Sequence, residues 1–201
     1  VYSSKGDIDR TFINELAAEF RAADWNLRPV LKKLFTSQHF FDPALRGAQI
    51  KTPIEYVVGL QRQFGVAEND PQYWVDVMDQ TMLDPPNVSG WPGYRAWIST
   101  NTYPRRREFA RKLIDAMTDA RANAFIREFD DHTDVEKFVR NVTTFLLPVP
   151  ISQERLIYYK NTLLEGQPDY TWAEKLETAS ASARAMRELL KAIAAAPDFQ
   201  L

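Results

Sequence analysis

Hydrophobic residues recur along this chain at spacings of three and four, with no useful stretch of strict alternation, so the pattern predicts helices from end to end. Phe12, Leu16 and Phe20 repeat every fourth residue behind Asp9, an N-cap residue type, and predict a helix from about Arg10 to Ala23. Val30, Leu31, Leu34 and Phe35 form the apolar stripe of a second, from Leu27 to Phe41, with Pro29 in its first turn. Thr52-Pro53-Ile54-Glu55 combines an N-cap hydroxyl, a proline at the first helical position and a glutamate three residues on; Gly65 is placed to end that helix in the left-handed conformation. Asp70-Pro71 repeats the cap-plus-proline device, and Trp74, Val77, Met78 and Met82 make the buried side of a helix that runs into a proline-rich segment. Beyond it the pattern predicts a short helix over Tyr94 to Thr100, one opened by Pro104 and reaching Met117, and a weaker one over Asp119 to Phe129. A capping box at Thr133-Asp134-Val135-Glu136, a Ser152-capped helix ending at Gly166 and a long alanine-rich helix from Trp172 to Ala195 complete the chain. The expected fold is all-α, an irregular multi-helix bundle of about eight helices with one long ordered Pro/Gly/Trp loop. It is read as one helical domain over residues 1–201, any subdivision falling near 101–104.

That loop, Asp84-Pro85-Pro86-Asn87-Val88-Ser89-Gly90-Trp91-Pro92-Gly93, is the most distinctive feature. The paired prolines fix φ and end the preceding helix, while Gly90 and Gly93 on either side of Trp91 and Pro92 allow positive φ or a close approach. A stiff loop with a large aromatic at its tip is either a plug that closes the core or the floor of a binding site. A plug requires Trp91 to be fully buried against Trp74, Met78 or Phe109. A site requires it to line a partly polar cleft, with Asp84, Asn87, Arg95 and Trp97 as the neighbouring binding candidates.

Composition narrows the chemistry. Over 201 residues the chain is 45% hydrophobic and 26% charged, with 7 Gly and 12 Pro, which suits helices joined by stiff connections. Its 25 basic and 27 acidic residues give a net charge of −2 and no general attraction to nucleic acid or anionic lipid. No apolar run approaches the roughly 20 residues of a membrane span. The absence of Cys removes thiol nucleophiles, zinc-thiolate sites and disulfides. The opening Val1-Tyr2-Ser3-Ser4-Lys5-Gly6, with neither an initiator Met nor a signal peptide, reads as the interior of a longer protein.

Few groupings carry catalytic chemistry. His39 is read as a histidine at a helix C-terminus, its neighbours Ser37 and Asp42 being too close in sequence to form a triad with it. His132, in Asp130-Asp131-His132-Thr133-Asp134, is read as part of a solvated acidic turn, with a divalent-cation site as the sharper alternative. Asp76 and Asp79, spaced to share a helix face, and Asp84 near the loop are read as surface carboxylates, with paired acid–base chemistry as the alternative. The run Arg105-Arg106-Arg107 with Arg111 and Lys112 scatters around its helix: Arg107 and Arg111 share one face, and Arg106 shares that of Phe109 and Leu113. This does not make a stripe that tracks a nucleic-acid backbone. Arg106, on the apolar side, needs a partner or an aromatic face, and Arg106 or Arg95 is expected to brace the loop through Asp84 or a tryptophan. No catalytic residue, metal or cofactor is assigned.

The run Pro85 to Gly93 of the loop, followed by Ala96-Trp97-Ile98-Ser99-Thr100, resembles the hallmark of the bacterial family called domain of unknown function 1800. So do Trp25, Leu27 to Leu31, Leu34 to Phe41, Gly47, Ile50 to Glu55 and the closing Pro197-Asp198-Phe199-Gln200-Leu201. The resemblance implies the C-terminal part of a longer, exported bacterial protein, with no activity or catalytic residues to carry over. The expected role is a helical scaffold or binding domain, its partner being the N-terminal part of the same protein or another exported protein. The rival expectation is the C-terminal half of a hydrolase-like enzyme, its site at Trp91 and Trp97 completed by the N-terminal part. A periplasmic or otherwise exported location follows from the resemblance alone.

Overall fold

The computed structural model describes residues 9–201, and the opening segment Val1 to Gly6 lies outside them. Two compact units divide the chain, Val1–Gln49 and Ile50–Leu201. Every regular element among the described residues is helical.

The first unit is a helical hairpin, α1 (Arg10–Ala22) against α2 (Leu27–Phe35), followed by a 3₁₀ turn at Pro43–Leu45. Asp9 caps α1 through its bond from the Phe12 N–H, and Asn26 caps α2 from the Arg28 N–H. The second helix is six residues shorter than the periodicity predicts. The Thr36 N–H and hydroxyl both bond the Lys32 carbonyl, but the Ser37 N–H and hydroxyl both turn to the Leu34 carbonyl, so the chain leaves the α-helical pattern at Ser37. His39 therefore sits in a turn beyond the helix, its ring 5.2 Å from that of Phe12, rather than at a helix C-terminus. No residue of α1 or α2 is fully buried.

The second unit holds the core. It comprises α3 (Pro53–Phe64), α4 (Pro71–Asp76), α5 (Thr102–Asp115), α6 (Asp119–Arg127), α7 (Val135–Leu146), α8 (Gln153–Leu164), α9 (Thr171–Glu177) and α10 (Ala179–Ala194). Short 3₁₀ turns lie at Tyr94–Trp97 and Pro197–Gln200. Alanine-rich α10 is the central element: Ala183, Ala185, Met186, Leu189, Leu190 and Ile193 are buried, and α5, α6, α8 and α9 pack around it. The capping box at Thr52 and Glu55 forms as predicted, and Gly65 ends α3 at φ 63°.

Four local expectations need correction. Asp134, not Thr133, caps α7, because its carboxylate reaches the N–H groups of both Glu136 and Lys137. The predicted last helix is two, broken where Thr178 takes an extended backbone (φ −118°, ψ 112°). α5 starts at Thr102 rather than Pro104, since Ser99 Oγ accepts from the Thr102 N–H and Thr102 Oγ1 accepts from that of Ser99. The α4 helix stops at Asp76, so Met82 is exposed and Asp79, at φ 69°, shares no helix face with Asp76.

Beneath the C-terminus lies a buried polar knot. The Arg106 side chain is fully buried, stacked 5.0 Å from the Tyr56 ring, and its Nη2 donates to the Lys51 carbonyl at 2.8 Å. Lys51 in turn donates from Nζ to the Phe199 carbonyl and from its backbone N–H to the Gln200 carbonyl. Tyr56 donates its hydroxyl to the Arg106 carbonyl. Burial, aided by the Arg106 charge, pushes the Lys51 amine down to about 8, and burial pushes the Arg106 guanidinium down to about 10. Burial likewise raises the Tyr56 phenol. Arg106 therefore finds the aromatic face that its position demanded, but the face belongs to α3 and not to the loop.

Candidate functional site

The segment between α4 and α5 is where the sequence placed its binding residues. Gln80 anchors its start: the buried side chain accepts from the Ile54 N–H at the first turn of α3 (3.0 Å). From Thr81 to Ser89 every residue is exposed, Leu83 and Val88 almost completely. Internal bonds give the loop its shape. Asn87 Oδ1 accepts from the Ser89 N–H at 2.8 Å, the Asn87 carbonyl accepts from the Gly90 N–H, and Gly90 and Gly93 take φ of 84° and 68°. Leu83 and Tyr94 also hold positive φ, 62° and 48°, a conformation that costs non-glycine residues energy.

The five candidates part company here. Asp84, Asn87 and Arg95 are exposed, Trp91 is half-buried, and Trp97 is buried. The Trp97 carbonyl accepts from the buried Thr102 hydroxyl at 3.0 Å, so this tryptophan ties the loop's end to the start of α5. Arg95 lies 5.5 Å from the ring of its neighbour Tyr94. Trp91 is neither the fully buried plug nor one of the residues lining the cleft beside the loop's two helices.

That cleft lies between the two helices joined by the loop and the C-terminal end of α10. It is open, about 950 Å³, and lined by Tyr73 and Trp74 of α4, Tyr103, Arg107 and Arg111 of α5, and Lys191 of α10, among others. Tyr103, Arg107 and Arg111 follow one another at four-residue intervals and so form one row on α5. Most of the cations here are matched. Lys112 is bonded to Glu68 at 2.8 Å and lies 5.3 Å from the Trp74 ring. The hydrogen bond from Lys112 holds the Glu68 carboxyl below its ordinary range. Lys191 bonds Asp115 and Glu188, and Arg111 approaches Asp115 at 3.8 Å. Arg107 alone among the lining cations has no ion-pair partner among the described residues. Tyr103 is fixed beside it by its hydroxyl, which donates to the Ala195 carbonyl at 2.8 Å.

The sequence showed that Arg107 and Arg111 share a face. It did not show the cleft, because Tyr73 and Lys191 reach it from helices far apart in the chain. Among the described residues neither histidine ring is bonded to a carboxylate or a hydroxyl. The His132 ring is bonded through Nδ1 to the Phe129 carbonyl, and the His132 carbonyl accepts from the Trp172 indole at 2.7 Å. Ser37 is bonded to backbone, and Asp42 caps the 3₁₀ turn at Pro43. Among the described residues no group of three or more His, Asp or Glu is arranged to hold a metal ion, and no helix is long and apolar enough to cross a membrane.

An all-helical fold, the Pro/Gly/Trp loop between α4 and α5, and a C-terminal turn locked onto Lys51 define the class of protein. The chain belongs to the family described as protein of unknown function (DUF1800), whose model matches residues 2–201. No curated protein and no solved structure matches it.

Proposed function

We propose that the chain is a non-catalytic helical binding module of an exported bacterial protein, and that the cleft between α4, α5 and α10 receives an anionic group of its ligand or partner. The observation that supports this most directly is Arg107, an exposed guanidinium with no ion-pair partner among the described residues, beside a fixed phenol ring in a cleft whose other cations are matched. A guanidinium with free donors binds carboxylate or phosphate through two parallel hydrogen bonds, and a neighbouring ring face adds contact area. The exposed side chains of Asp84, Asn87 and Arg95, with half-buried Trp91, form a second contact surface on the loop that joins the cleft's two walls. Export and a partner in the same protein or the same compartment rest on the family resemblance.

Phenyl phosphate, which carries both an anion and a ring, is a suitable probe. Titrated into isotopically labelled protein, it is expected to shift the backbone resonances of residues 103–111, and Arg107→Ala should weaken binding by about tenfold or more, as loss of a charged hydrogen-bonded contact does. Shifts confined to other regions, or an unchanged affinity in Arg107→Ala, would rule the cleft out.

A further inference from the structure

A separate surface lies in the first unit, and it stands independently of the cleft. On α2, Leu27, Leu31 and Phe35 recur every fourth residue and are 59%, 43% and 50% exposed. Val30 and Leu34, on the adjoining rows, are partly buried in the hairpin with α1. The outer apolar row is therefore not the one that the hairpin uses. Arg28 and Lys32 form a second row directly beside it, both exposed. At the two ends of the helix stand Trp25, 67% exposed, and Phe40 and Phe41, 40% and 68% exposed.

Charge decides what could cover such a face. The whole chain carries a net charge of −2, but from Trp25 to Phe41 there is no Asp or Glu, while Arg28, Lys32 and Lys33 are all cationic. Lys33, on the far side of the stripe, pairs with Glu15 of α1 at 3.4 Å; Arg28 and Lys32 have no ion-pair partner among the described residues. Asp24 and Asp42 bound the segment, and Asp42 is engaged in capping the turn at Pro43. An apolar row flanked by unmatched cations, with tryptophan and phenylalanine at its ends, has the amphipathic arrangement that lies in a lipid interface. The apolar side chains enter the acyl boundary, and the lysine and arginine heads stay at the phosphates.

We infer that this face of the first unit docks onto an anionic lipid surface, lying along it and not spanning it. A protein partner would have to supply an acidic rim along the Arg28 and Lys32 side of the same apolar row, and is the competing occupant that the experiment must separate.

The whole chain is mixed with vesicles of phosphatidylcholine alone or with phosphatidylglycerol, and bound protein is measured by sedimentation. Binding is expected only to the phosphatidylglycerol vesicles and to fall as salt is raised. Arg28→Glu combined with Lys32→Glu should weaken it by about tenfold or more, as should Trp25→Ser combined with Phe41→Ser. All four positions are exposed, so helix content and melting temperature should match the parent's, and this is checked by circular dichroism. Failure to bind the anionic vesicles, or equal binding by the charge-reversed variant, overturns the inference. So does a stable dimer in light scattering that the Trp25→Ser, Phe41→Ser variant dissolves, since the face would then belong to a second copy.

Discussion

Two regions marked by the same family resemblance have opposite physical characters. The knot around Arg106 buries Tyr56, Phe199 and Gln200, half-buries Lys51, and ties the C-terminal turn to the start of α3. The loop from Thr81 to Ser89 exposes every residue and takes its shape from its own prolines, glycines and Asn87 turn. Distinctive residues thus serve two ends here: in the knot they hold the core closed, and in the loop they hold a surface in one shape. In the knot, the Arg106 Nε and Nη1 and the Gln200 Oε1 are buried without a hydrogen-bond partner among the described residues. Such groups are costly to leave unmatched, so the knot's stability must come chiefly from packing and from the few bonds it does make.

Truncating Arg106 is the strongest way to break this comparison. Arg106→Ala removes a fully buried side chain stacked on Tyr56 and should cost about 3 kcal/mol or more in urea unfolding, as large core truncations do. Arg106→Met keeps most of the volume and removes a desolvated charge, so it should recover the greater part of that loss. A methionine variant as unstable as the alanine one would show that the bond to the Lys51 carbonyl and the charge itself hold the knot.

A smaller effect is expected from pH. Below about 8, Lys51 is protonated in both the folded and unfolded chain. Between about 8 and its ordinary 10.5 it is neutral when folded and charged when unfolded. The unfolded state then binds more protons, and stability rises with pH. Arg106, lowered to about 10, acts in the same direction at higher pH, while Tyr56, with its phenol raised, acts in the opposite direction once the unfolded phenol ionises. The unfolding free energy from urea titration should therefore rise between pH 8 and 10, by an amount on the order of 1 kcal/mol. In Lys51→Met that rise should vanish. Its persistence in the variant would place the titrating group elsewhere and leave the knot electrostatically inert.

What could be seen in the sequence follows the range of the forces involved. Helices set by local devices were legible: the Asp9 cap, the Thr52–Glu55 box and the left-handed Gly65 stand where the chain alone puts them. Ends decided by competition between a side chain and the backbone were not, which is why α2 stops early at Ser37 and Asp134 displaces Thr133 as a cap. The burial of Arg106 could be read from its helical phase, but its partners could not, because Lys51 lies 55 residues away. The cleft was hidden for the same reason. Its row of Tyr103, Arg107 and Arg111 is a local pattern, but the walls opposite come from α4 and α10.

The loop gives the smallest and most discriminating effect. A tryptophan that plugged the core would cost roughly 3–5 kcal/mol on truncation to alanine. Trp91 is only half-buried and the residues before it are exposed, so Trp91→Ala should cost about 1 kcal/mol, the range of an ordinary partly exposed site. Trp97 behaves as the internal control. It is 4% exposed and linked through its carbonyl to Thr102, so Trp97→Ala should destabilise several times more than Trp91→Ala in the same urea titration. If the two losses prove equal, the loop is packed as firmly as the knot and the contrast between them fails. If Trp91→Ala is nearly silent, the energy held by Leu83 and Tyr94 at positive φ serves the shape of an exposed surface and not the closing of the core.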